Sequence, residues 1–89
     1  MNSKTLRLAI TVSQTTRERN QMFLAKAKKL LAMVCPGTTI GFEHKTRRLT
    51  VTGIRNLDGL RLTKVAVVSL AVGMDVILRN YDFDLHHTA

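Results

Sequence analysis

Between Thr5 and Val12 the side chains alternate in character. Leu6, Leu8, Ile10 and Val12 face one way, and Thr5, Arg7, Ala9 and Thr11 face the other. A period of two is that of a strand with one buried face. The period then changes. Phe23, Ala27, Leu30, Leu31 and Val34 fall on one stripe at helical spacing. Thr15 and Glu18 form a T-x-x-E capping box that starts this helix, and Pro36-Gly37 ends it. A strand with one apolar face and a helix with one apolar stripe must bury those surfaces against each other, which commits the chain to a layered α/β architecture.

The remaining segments complete the layers. Thr38–His44 and Arg47–Gly53 read as strands joined by a short turn near Lys45. Ile40, Phe42, Leu49 and Val51 are expected in the core, with Arg48, Thr50 and Thr52 outward. Asn56-Leu57-Asp58-Gly59 is a turn cluster with Asp58 as candidate N-cap. For Leu60–Val72 the β-branched content argues strand and the length argues helix; the expectation is a buried helix ending at Gly73. Asp75–Phe83 reads as a last strand, and residues 85–89 as a short tail. The predicted fold is a single α+β domain over residues 1–89, ordered β-α-β-β-α-β. It is a two-layer open-faced sandwich, with two helices on one face of a four-stranded, mostly antiparallel sheet and the other face free.

Charge is distributed unevenly along the 89 residues. Residues 1–55 carry eleven basic and two acidic groups, net +9; residues 56–89 carry three basic and four acidic groups, net −1. This polarity suits an acidic protein surface, a nucleic acid or an anionic membrane. The longest apolar run, Val65–Val72, is broken by Ser69 and is too short to span a bilayer, so no membrane role is expected. Cys35 is the only cysteine, which leaves no intramolecular disulfide and fits a reducing, cytoplasmic setting. Beside Pro36-Gly37 at an apolar helix end, it reads as a small hydrophobe rather than a reactive thiol.

Catalytic and cofactor signatures are missing from the sequence. Neither G-x-x-x-x-G-K-[ST] nor G-x-G-x-x-G occurs, so no nucleotide cofactor is expected. His44, His86 and His87 have no metal-ligand spacing with Cys35 or the carboxylates. Asp82 and Asp84 share one side of a strand but lack a convergent third group for acid–base work. The expectation is therefore a non-enzymatic protein with neither metal nor cofactor.

Two binding surfaces follow from the cations. Thr15, Thr16, Arg17, Arg19 and Lys26, at the loop before the first helix and along it, are candidates for docking an acidic protein partner. A helix N-terminus offers unpaired N–H groups to anions, although capping by Thr15 and Glu18 accounts for the same residues. Lys28, Lys29, Lys45, Arg47, Arg48 and Arg55 are the alternative candidates, for contact with nucleic-acid phosphates. Against the latter, Phe23, Phe42, Tyr81 and Phe83 are the only aromatics, whereas single-strand binders stack bases on aromatic rings. A free sheet edge or face could also pair two copies into a homodimer.

Two stretches resemble the HPr phosphocarrier family of the sugar phosphotransferase system. The first is the strand followed by Thr15-Thr16-Arg17 and a helix with Phe23, Ala27-Lys28 and Leu30. The second, Ser69-Leu70-Ala71-Val72-Gly73-Met74-Asp75-Val76-Ile77-Leu78, is similar to the family's S-L-G-[VI] followed by G-x-[DE]-[VI]-x-[IL]. The family carries its phosphoryl group on a histidine at the loop-to-helix start; here that position holds Thr15, and the following proline is Glu18. Arg17 matches the family's arginine. The family's regulatory serine would fall near Asn56 or Thr63, and its closing helix has no room after Asp84. The resemblance implies a degenerate HPr-like module that keeps the scaffold, transfers no phosphoryl group and docks on a protein as an interaction or regulatory unit.

Overall fold

Two helices pack on one face of a four-stranded antiparallel sheet, in a computed structural model that describes residues 3–13 and 16–88, with side chains for 5–13 and 16–82. The elements are β1 (Ser3–Val12), α1 (Arg17–Val34), β2 (Thr39–Glu43), β3 (Arg48–Ile54), α2 (Leu57–Gly73) and β4 (Leu78–Thr88). The expected α+β open sandwich and its element order are what the chain adopts. The sheet order is β2-β3-β1-β4, and every neighbouring pair is antiparallel. Each helix therefore links two parallel strands that have a third strand between them, a doubled split β-α-β arrangement. The central strands are β1 and β3; β2 and β4 form the edges.

The core follows from the two periodicities. Leu8, Ile10 and Val12 from β1 and Leu49, Val51 and Ile54 from β3 meet Phe23 and Leu31 of α1 and Val67 and Ala71 of α2. Arg7, Ala9 and Thr11 of β1 and Arg48, Thr50 and Thr52 of β3 alternate with these residues and lie on the opposite face.

Several boundaries differ from the sequence reading, each for a local reason. The N-cap of α1 is Thr16, whose hydroxyl accepts the Arg19 N–H at 3.2 Å. Thr15, assigned that role from the T-x-x-E spacing, lies outside the described residues. Asn56 caps α2 in place of Asp58, its side-chain oxygen accepting the Gly59 N–H at 2.7 Å. Asp58 sits instead in the first turn, where a carboxylate suits the helix dipole. Lys26, Lys28 and Lys29 lie a turn or more before the end of α1, whose last turn carries no basic residue, so their charge does little for its dipole.

The strand β3 runs one residue past Gly53 because of a bulge. Leu6 and Leu8 of β1 pair with Ile54 and Val51, so the extra residue brings Ile54 back onto the core face. Gly53 adopts φ 83°, and a Cβ there would lie 2.8 Å from the Gly37 carbonyl oxygen. Asp75 to Ile77 form a connection rather than strand, and β4 starts at Leu78 and continues to Thr88 through the segment read as a tail. The ambiguous segment is indeed helix, α2, but not buried all round: Leu57, Leu62, Val65 and Val72 are exposed. Only Thr63, Val67 and Ala71 are fully buried.

Candidate functional site

The edge strand β2 is covered on one side only. Its side chains alternate, with Ile40 and Phe42 turned to the helix layer and Thr39, Gly41 and Glu43 exposed on the other face. On β3 the equivalent inward residues Leu49 and Val51 are 0 % exposed, whereas Ile40 and Phe42 stay half-buried. The reason is positional. A central strand has neighbours on both sides, while β2 has β3 on one side and solvent on the other.

Above this edge runs a stripe of α1 adjoining the buried one. Arg17, Gln21, Leu24 and Lys28 follow i, i+4, i+7 and i+11, which places them on one line along the helix. Between the stripe and the strand lies a groove of about 460 Å³ with Arg17, Gln21 and Leu24 on one wall and Phe42, His44 and Arg47 on the other. A second hollow of about 280 Å³ lies on the same helix–strand seam, where Lys28, Leu31 and Ala32 face Thr39 and Ile40. The floor is apolar, from Leu24, Phe42 and Ile40. The His44 ring packs edge-on to Phe42, with 5.0 Å between centroids and an interplanar angle of 88°.

A third hollow, of about 540 Å³, occupies the hairpin end of the sheet, bounded by Thr11, Ser13, Lys45, Arg47, Arg79 and Asn80 among others. Three segments meet there through backbone bonds: Val12 N–H donates to the Arg47 carbonyl and Ser13 N–H to the Ile77 carbonyl, both at 2.8 Å. Arg47, with φ 55°, borders both this hollow and the α1–β2 groove.

Among the described residues, no carboxylate lines any of these three hollows. Among the described residues, Arg17, Lys28, Lys45, Arg47 and Arg79 form no ion pair. The Glu43 carboxylate accepts the Lys45 backbone N–H at 3.2 Å. Cations with no acid in contact present an uncompensated positive field, and an apolar floor adds affinity for a partner that carries apolar groups beside its charges.

The structure divides the residues singled out from sequence. Arg17, Lys28 and Arg47 come together in the α1–β2 seam, with Lys45 beside them. Arg19 and Lys26 lie on the opposite flank of α1, near Met74, and Arg19 pairs with Asp75 at 3.7 Å. Thr16 is occupied as the helix cap, and Lys29 is exposed. Arg55 is at the far end of the molecule, beside Pro36 and Gly37. Arg48 is committed to the free face of the sheet, where it bonds Thr11 and Asn80 and pairs with Asp82. The side chains of Asp84, His86 and His87 lie outside the described residues.

Gln21, Leu24, Phe42 and His44 join the seam and Arg79 and Asn80 the hairpin end, none of them foreseen as site residues. The i, i+4, i+7, i+11 spacing from Arg17 to Lys28 was the available signal for the helical wall. Nothing in the sequence told that β2, rather than β1, would be an edge.

The second family-like stretch is split by the fold, with Ser69 to Gly73 ending α2, Asp75 in the left-handed region at φ 59°, and Leu78 opening β4. Among the described residues, no helix is long and apolar enough to cross a membrane, and no three His, Cys, Asp or Glu side chains are grouped to hold a metal. Protein-family models, curated protein sequences and solved structures give no match to the chain.

Proposed function

We propose that this protein is a non-catalytic interaction module that docks an acidic protein partner in the seam between α1 and β2. One observation carries the reading: among the described residues, the seam combines cations without an ion pair (Arg17, Lys28 and Arg47) with a half-covered apolar floor (Leu24, Ile40 and Phe42) and no carboxylate. The cations steer an acidic surface to the seam and fix its orientation, and the floor retains it through apolar burial. The docking residues are thus narrower than the set read from the sequence: Arg17 stays, Arg47 and Lys28 are added, and Arg19 and Lys26 are set aside. A cytoplasmic setting accords with the lone Cys35. The HPr-like likeness supports the same kind of role, a scaffold that docks without transferring a phosphoryl group, and rests on the sequence motifs alone.

A second reading is favoured by the hairpin end. Lys45, Arg47 and Arg79 surround Thr11, Ser13 and Asn80 there, a donor-rich hollow that suits a phosphate of a nucleic-acid backbone. It ranks below the first because the free sheet face has no aromatic residue among its described side chains on which a base could stack.

Site-specific photo-crosslinking separates the two. A photoreactive residue replacing Gln21, in the seam, is expected to capture protein from nuclease-treated lysate, and the adduct should vanish with Arg17→Glu. The same probe at Ser69, on the exposed side of α2, should capture nothing equivalent. Adducts that contain nucleic acid before nuclease treatment and no protein after it would sink the leading reading in favour of the second.

A further inference from the structure

Beyond the location of the seam, the structure says how a partner would fill it. We infer that β2 accepts an extended acidic segment of the partner as a fifth strand, whose helix-side residues enter the α1–β2 seam. The inference rests on the docking function proposed above and specifies its mode.

Four observations carry it. First, β2 is an edge strand, so half of its backbone N–H and C=O groups face away from β3. Second, Ile40 and Phe42 are only half-buried, and a strand added at this edge would cover the side that α1 leaves open. Third, Gly41 sits at the centre of β2 without a structural need of its own. Its φ is not positive, β2 and β3 pair without a bulge, and a Cβ would meet nothing within 4 Å. Gly41 thus leaves no side chain on the free face beside an incoming strand, and strand glycines often mark a close approach of another backbone. Fourth, the wall above the edge is the cationic stripe from Arg17 to Lys28.

The charge selects the occupant. Two copies pairing through β2 would bring two Arg17–Lys28 stripes together, and like charges at that range repel. A segment bearing carboxylates on its helix-side face meets the same stripe with opposite sign. Arg17 and Lys28 are separated by about 16 Å along α1 at ~1.5 Å per residue. That is roughly five residues of extended chain at ~3.3 Å each. Residues of one strand face recur at even intervals, so carboxylates four apart, with an apolar residue between them over Leu24 and Phe42, match the seam. Strand addition with alternate side chains in pockets is an established mode of peptide recognition.

The probe is the end-blocked heptapeptide Thr-Glu-Thr-Val-Thr-Glu-Thr, added to the isotope-labelled intact chain and followed by NMR. The expected result is saturable shifts at Thr39 to Glu43 and along the Arg17 to Lys28 stripe, with slowed exchange of the β2 amides that face solvent. Arg17→Glu, and a peptide of the same composition with adjacent glutamates, should each weaken binding by about tenfold. Two peptides N-methylated at alternate nitrogens, in opposite phases, test the backbone pairing without altering the protein. One of them should fail to bind.

Shifts along the stripe without slowed β2 exchange, or equal binding of both N-methylated peptides, would overturn strand addition and leave acidic docking in place. No response to any peptide, while the Gln21 crosslink still captures protein, would do the same. No response to any peptide, together with a Gln21 crosslink that captures no protein, would overturn both.

Discussion

The Arg48 guanidinium donates a 2.6 Å hydrogen bond to the Asn80 carbonyl, reaching from β3 across β1 to β4. The same Nη1 donates to the Thr11 hydroxyl at 2.8 Å, and Nη2 lies 3.7 Å from the Asp82 carboxylate. The register explains why an acceptor is available. Between Ala9 and Thr11 the pairing of β1 with β4 slips, with Asp82 and Arg79 as the respective partners, and Asn80 adopts φ 52°. A bulge leaves a strand residue out of the ladder, and Arg48 occupies the carbonyl so released. This arginine is therefore a brace of the sheet rather than part of the docking surface. Arg48→Ala is expected to lower stability by about 1.5–3 kcal/mol, the range for hydrogen bonds to charged groups. Urea unfolding measures this; an unchanged midpoint together with weakened partner capture would make Arg48 a docking residue after all.

Thr63 tests the opposite case, a buried hydroxyl without use. It is 0 % exposed on α2, and its Oγ1 has no hydrogen-bond partner among the described residues. A desolvated, unmatched hydroxyl is costly, while replacing it with an apolar group of the same shape removes the cost. Thr63→Val should raise stability by about 1 kcal/mol, read as a higher unfolding midpoint with unchanged denaturant dependence. A drop in stability would mean that the hydroxyl has a partner in solution.

Much of the layer arrangement was legible in the chain because each layer writes its own period. The alternation from Thr5 to Val12 and the stripe from Phe23 to Val34 place the same residues in the core that the structure buries, Leu6, Leu30 and Val34 only partly. What escaped was non-local. Ile54 joins the core only because the bulge at Gly53 shifts the phase, and a bulge depends on the partner strand. The N-caps slipped from Thr15 to Thr16 and from Asp58 to Asn56, because neighbouring polar residues all fit a cap and the backbone chooses between them. Arg47 and Arg48 are adjacent in sequence and identical in type. Their roles diverge because the turn directs one to the seam and the strand directs the other to the sheet face.

The two caps give a direct comparison. Asn56→Ala removes the acceptor of the Gly59 N–H and should cost about 1 kcal/mol. Asp58→Ala removes only a charge in the first turn and should cost about 0.3–0.5 kcal/mol at low salt, falling as salt rises. Thermal unfolding at two ionic strengths separates them, and equal losses at both would return the capping role to Asp58.

Gly53 and Gly41 should respond oppositely to the same change. Gly53→Ala forces a side chain into the left-handed region and against the Gly37 carbonyl, so a loss of about 2 kcal/mol is expected. Gly41→Ala meets open space in an ordinary strand conformation and should be neutral or stabilising by up to about 1 kcal/mol, because it restricts the unfolded chain. Denaturation of the two variants decides it. A comparable loss at Gly41 would show that the glycine serves the fold itself, and would remove one support for strand addition at β2.

The last comparison sets docking charge against surface charge in general. Arg17 and Arg47 have no acidic partner among the described residues, so Arg17→Ala with Arg47→Ala should leave the unfolding midpoint within about 0.5 kcal/mol of the parent, as for surface sites without special features. The same pair should abolish crosslinking from Gln21. Arg19→Ala with Lys26→Ala removes the same formal charge from the other flank of α1, and breaks an exposed Arg19–Asp75 pair that contributes little. That variant should retain crosslinking. Because both double variants change net charge by the same amount, a diffuse field would weaken capture equally in the two. A local site in the α1–β2 seam requires that only the Arg17 and Arg47 pair matter.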